Sequence, residues 1–88
     1  MKIEDPAARA ETVIIQYLKG INPAALERAP QMGEVKLRRV LDSLDMMEFI
    51  TWIETSFSIK VADTDVLARN FETVASVIDF VRKKAGAR

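Results

Sequence analysis

Between Asp42 and Phe57 the apolar residues Met46, Phe49, Ile50, Ile53 and Phe57 recur at steps of three and four. That spacing is the period of an α-helix with one buried stripe. A strand would instead alternate apolar and polar residues. Two further segments carry the same pattern. From about Pro6 to Lys19, Ala10, Val13, Ile14, Tyr17 and Leu18 fall on one face, and from Glu72 or Thr73 to about Lys83 so do Val74, Val77, Ile78 and Val81. Each stripe needs a partner to cover it, and a chain of 88 residues has room for one core. The expectation is an all-α fold over a single domain, residues 1–88: a small bundle of three main helices plus one short helix.

Local signals set the boundaries. Asp5 can cap the first helix with Pro6 in its first turn, and Gly20 offers a stop. A long connection follows to Leu41, broken by prolines and glycines, in which "PAALERA" could form a short helical turn. The second main helix should start at Asp42 or Ser43. Asp42 and Asp45 resemble a capping box, with both acids suited to the positive end of the helix dipole. "SIKVADTD" reads as an extended connection, and "DTDVLARN" as the short helix.

Composition removes several chemistries. The chain has no cysteine and no histidine. Disulfides, thiolate or imidazole metal sites, and serine or cysteine nucleophiles activated by histidine are therefore excluded. An enzyme is not expected. No apolar run reaches the length of a membrane span, and the first residues lack the apolar stretch of a secretory signal, so a cytoplasmic protein is expected. The net charge is zero but unevenly spread. Residues 1–41 hold seven basic and five acidic side chains, residues 42–79 hold two and eight, and the tail adds Arg82, Lys83, Lys84 and Arg88. An acidic middle favours basic protein partners and disfavours nucleic acid.

On the second main helix, Leu44, Glu48, Thr51 and Thr55 fall on the side away from the apolar stripe, with Asp45 and Trp52 beside them. An exposed leucine and tryptophan among acids suit a docking surface. Trp52 could equally pack under the long connection. Ser43 also has two readings, a helix cap and an exposed reactive hydroxyl.

The stretch "DSLDMMEF" resembles the D-S-L attachment motif of acyl carrier proteins. Leu44, Asp45 and Glu48 fall where that family commonly has leucine, aspartate and glutamate, Phe57 where a phenylalanine closes its second helix, and Val61 at a common aliphatic position. "NFETVASVIDFV" looks like the start of its last helix. The likeness covers about residues 6–84 and implies an antiparallel bundle with short flexible ends. It also implies that Ser43 is esterified with 4′-phosphopantetheine, drawn from coenzyme A by a phosphopantetheinyl transferase whose own metal is Mg²⁺. The arm's thiol would then carry acyl groups as thioesters, which explains how a protein without cysteine can handle them.

By the same resemblance, Asp42 would help orient the transferase's metal. Asp42, Leu44, Asp45, Glu48, Thr51, Trp52 and Thr55 would form the recognition surface, and Met47, Ile50, Ile53, Phe57, Val61, Phe71, Val74 and Ile78 could line an acyl pocket between the helices. Partners implied are the transferase, an acyl-loading ligase or acyltransferase, and synthase-type enzymes of a fatty-acid, polyketide or other specialised pathway, met by a monomer. Two positions depart from the pattern. Val40 stands where the family often has glycine, and Arg39 where it often has leucine, so the loop into the helix should follow another path. Thr51, Trp52 and Thr55 also replace acids usual late in the helix, which favours apolar over charged docking. Aminoacyl or peptidyl cargo, or an unmodified interaction domain, are the competing readings.

Overall fold

The computed structural model describes residues 6–27 and 31–86, and the fold among them is all-α. Helix α1 spans Pro6–Ile21, α2 Pro23–Glu27, α3 Leu37–Val40, α4 Ser43–Phe57, α5 Asp63–Leu67 and α6 Val74–Gly86. Two 3₁₀ turns, Met32–Glu34 and Arg69–Phe71, precede α3 and α6. The three long helices are the ones whose periodicity is legible in the sequence. The extended connection after α4 and the short helix α5 also stand where expected.

Helices α1 and α6 share the largest interface. Glu11, early in α1, pairs with Arg82, late in α6, at 3.3 Å, which sets the two antiparallel. α4 closes the core. Phe49 is fully buried, its ring 5.5 Å from Tyr17 on α1 and 6.4 Å from Phe71, which in turn lies 5.5 Å from Phe80 on α6. Among the described residues the core contains no buried polar or charged side chain. Its cohesion is therefore apolar burial and ring packing, without the desolvation cost of buried charge.

Several boundaries differ from expectation, each for a local reason. α1 runs through Gly20 to Ile21, and Asn22 ends it. Pro23 disfavours the helical conformation at the residue before it. The Asn22 amide closes α1 on the Leu18 carbonyl at 2.9 Å, and its side-chain oxygen accepts the Ala25 amide at 3.3 Å to start α2. Asp5 and the end of "PAALERA" lie outside the described residues.

The long connection is more ordered than a loop. Its α3 was not expected, because four residues are too few to show a period; Leu37, Val40 and Leu41 are all buried. An isolated antiparallel bridge pairs Lys36 with Thr73. In it the Leu37 amide donates to the Glu72 carbonyl at 2.9 Å and the Val74 amide to the Val35 carbonyl at 3.0 Å. Gly33 lies so close to α6 that a Cβ there would stand 3.2 Å from that of Ala75. Thr73 caps α6, exchanging hydrogen bonds with Ser76.

The basic tail is absorbed by the domain. Arg82 pairs with Glu11, Lys83 with Asp79 and Lys84 with Asp65. Such exposed pairs contribute at most about 1 kcal/mol each, but among the described residues they leave no row of unpaired cations in the tail. Arg88 lies outside the described residues.

Phe49 is fully buried and joins α4 to Tyr17 on α1 and to Phe71 in the turn before α6, so Phe49→Ala should cost about 3–5 kcal/mol, a large part of a small domain's stability. Urea unfolding checks this, with Phe49→Leu recovering most of the stability that Phe49→Ala loses.

Candidate functional site

The site is built where α3 ends and α4 begins. Val40 and Leu41 are buried, and this anchors the chain just before the turn. The apolar Val40 side chain, in place of a glycine, is what α3 uses to pack. Asp42 then adopts an extended backbone and acts as the N-cap of α4, its Oδ1 accepting the Asp45 amide at 2.8 Å and its carbonyl the Met46 amide at 2.8 Å. This is the forward half of the expected capping box.

With the cap supplied by Asp42, Ser43 is left as the first helical residue. It is exposed, and its hydroxyl has no hydrogen-bond partner among the described residues. The two readings of Ser43 are thereby separated: the capping role belongs to its neighbour. The amides of Ser43 and Leu44, at the positive end of a 15-residue helix, stand next to that hydroxyl. An anion attached there meets unpaired N–H groups and the helix dipole.

The outer face of α4 carries Leu44, Glu48, Thr51 and Thr55, all exposed, with Asp45 half-buried beside them. Leu44 and Met47 are 65% and 67% exposed. Trp52 is half-buried and stacks on Tyr17, ring centroids 4.3 Å apart, with Phe49 and Phe57 each 6.0 Å away. It packs on α1, not under the long connection. Trp52→Ala would therefore remove internal packing, and its effect on docking would not be separable from its effect on the fold. Sequence reasoning assigned Tyr17 to the core of α1 without linking it to α4. Burial raises the Tyr17 pKa above 10.0, helped by the negative charges of Glu48 and Asp45.

Of the residues expected around an acyl pocket, Phe71 lines one surface groove, and Val74 and Ile78 line a cleft elsewhere. Ile53, Phe57, Phe71, Val74 and Ile78 are buried, and Ile50 and Val61 half-buried. Met47 stands outside, because one residue's step turns a helix by about 100° and Met46 takes the inward position. Met46 lines a surface groove of ≈ 280 Å³ with Val66, Ala68 and Phe71, flanked by Arg38, Arg69 and Glu72. Val74 and Ile78 line a different cleft of ≈ 320 Å³ with Glu11, Ile15 and Arg82, between α1 and α6. Val66, Arg38 and Arg69 carry no signal in the sequence, since only the fold brings them together. Among the described residues no group of three acids could hold a metal ion, and no helix is long and apolar enough to cross a membrane.

The model of the family described as phosphopantetheine attachment site matches residues 41–81, from the buried Leu41 to Val81. The match covers just under half of the chain and corresponds to the attachment-site segment of the carrier-protein family. Searches of the curated proteins and of the solved structures returned no match. Carrier domains of this family bear a covalent 4′-phosphopantetheine and are not themselves catalytic. The α4 start fits such a group, offering a primary hydroxyl that is exposed and not engaged in capping.

Cap and hydroxyl separate in a stability experiment. Asp42→Ala should destabilise the domain by about 1 kcal/mol, as loss of an N-cap does, whereas Asp42→Asn should keep most of the wild-type stability. Ser43→Ala should change stability by less than about 0.5 kcal/mol, as at an exposed surface position. Chemical denaturation of the three variants reads both.

Proposed function

We propose that Ser43 is the attachment residue and that the chain is an acyl carrier protein. It bears acyl intermediates as thioesters and delivers them to partner enzymes of a fatty-acid, polyketide or other specialised pathway. The observation that carries this reading is the division of labour at the α4 start, within the segment that matches the family. Asp42 satisfies the helix, and Ser43 keeps an exposed, unpartnered hydroxyl.

In the loading step the Ser43 Oγ attacks the phosphorus of coenzyme A that bears the pantetheine. A Ser43 Oγ–P bond forms, the pyrophosphate P–O bond breaks, and adenosine 3′,5′-bisphosphate leaves. The hydroxyl proton must go to a base of the transferase, because this chain has no histidine and no lysine close in sequence to Ser43. The transferase also supplies the Mg²⁺, with Asp42 close enough in sequence to help orient it. The group's terminal thiol supplies the thioester chemistry that a chain without cysteine lacks.

What the chain contributes is position and recognition. The Ser43 and Leu44 amides favour the phosphodiester. Leu44 offers an apolar anchor beside the acids Asp45 and Glu48, a combination that suits a transferase or synthase with a basic rim around an apolar pocket. Thr51 and Thr55 continue that face, while the stacking of Trp52 on Tyr17 makes it a wall of the face more than a free anchor.

Incubation with coenzyme A, Mg²⁺ and a broad-specificity transferase, and then with a transferase of the same organism, tests the proposal by intact mass. A gain of one phosphopantetheine in the wild-type chain, absent in Ser43→Ala, is the expected result. No gain with either enzyme would make the chain an unmodified helical interaction domain.

A further inference from the structure

The groove beside the α4 start has an unusual charge for its surroundings. Met46 and Val66 are half-buried and Phe71 is buried, so these make its apolar floor. Arg38, from α3, and Arg69, from the 3₁₀ turn after α5, are exposed at its rim. Neither guanidinium has a hydrogen bond or ion pair among the described residues. Lys36, Arg82, Lys83 and Lys84, by contrast, each lie within 3.8 Å of a carboxylate. The one acid lining the groove, Glu72, is already held by Lys36 at 3.3 Å. Asp65 nearby accepts the Ala62 amide and faces Lys84. The result is a locally positive groove beside the most acidic part of the chain: residues 42–79 hold eight acids and two bases, one of them Arg69, and Arg38 is contributed by the more basic segment before them.

We infer that this groove takes the free carboxylate of a dicarboxylic acyl cargo, whose methylenes lie against Met46 and Phe71 while Arg38 and Arg69 receive the charge. The inference rests on Ser43 carrying the arm, and it names the class of cargo. Met46 lies one helical turn from Ser43 on the same helix, so an arm that folds back along the domain brings its cargo to the groove. A plain alkyl chain would gain from the apolar floor alone and would be drawn past two guanidinium groups it cannot satisfy. A carboxylate satisfies them with charge-assisted hydrogen bonds, in the planar geometry that arginine offers and lysine does not. The unbranched Met46 side chain can adapt to the methylenes.

The test compares two cargoes of equal carbon count on the full-length chain, transferred directly from hexanoyl-coenzyme A and adipoyl-coenzyme A. Intact mass first reads loading, and hydroxylamine cleavage then reads how well each thioester is sequestered. The adipoyl thioester should be cleaved roughly three- to fivefold more slowly than the hexanoyl one, the scale of an exposed charge pair. The variant R38Q/R69Q should abolish that difference, and R38K/R69K should keep part of it. Full loading with equal cleavage rates, or a difference that survives in R38Q/R69Q, would overturn the inference. So would a change in R38Q/R69Q that affects both cargoes alike, since the arginines would then serve the phosphodiester common to both. Absence of any mass gain would remove the carrier reading itself, and the inference with it; the mass measurement keeps the two failures apart.

Discussion

The hydrogen bond from the Asp45 amide to the Asp42 carboxylate, 2.8 Å long, decides what the start of α4 can do. A helix leaves its first amides without intrahelical partners, and some polar group must meet them. Serine is among the residues best suited to that task, and a serine so used has its hydroxyl turned back onto the backbone. Here the aspartate one residue earlier takes the role. The hydroxyl of Ser43 stays outside, at the positive end of the helix and next to amides that remain available to an anion. An unengaged hydroxyl and the helix cap are thus supplied by adjacent side chains, and neither is traded for the other.

That arrangement depends on the segment before it being held. Lys36 and Thr73 pair across an isolated bridge, and Gly33 lies against Ala75. Leu37, Val40 and Leu41 are buried. The chain therefore reaches Asp42 from a fixed direction, tied to the start of α6 and to the core. Phe49, two turns further along α4, locks the other side through its contacts with Tyr17 and Phe71. Within this frame the outer face of α4 turns Leu44, Asp45 and Glu48 away from the core, and the inner edge opens at Met46 onto the groove.

Much of this was legible in the sequence because the signals are local or periodic. The limits of α4 follow from an aspartate cap and five apolar residues at helical spacing. The fold class follows from three such stripes in a short chain, and the match to the attachment-site family agrees with the D-S-L stretch. What was not legible depends on contacts across the chain or on a single step of phase. Gly20 looks like a stop, yet the Asn22–Pro23 pair supplies the actual one. Leu37–Val40 is too short to announce itself as a helix. Met47 and Met46 differ by one position, and only packing shows which of them turns inward. The stacking of Trp52 on Tyr17, and the meeting of Arg38 with Arg69, join residues distant in sequence that no pattern connects.

The measurement that tests the central claim most directly is fragmentation of the holo chain to locate its arm. After modification and proteolysis, the account predicts phosphopantetheine on the fragment containing Ser43, lost as a unit on collisional activation. It predicts none on the fragments that carry Ser56, Ser58 or Ser76. An arm found on any of those serines, or a Ser43 fragment left unmodified in a chain whose mass has risen, would contradict it.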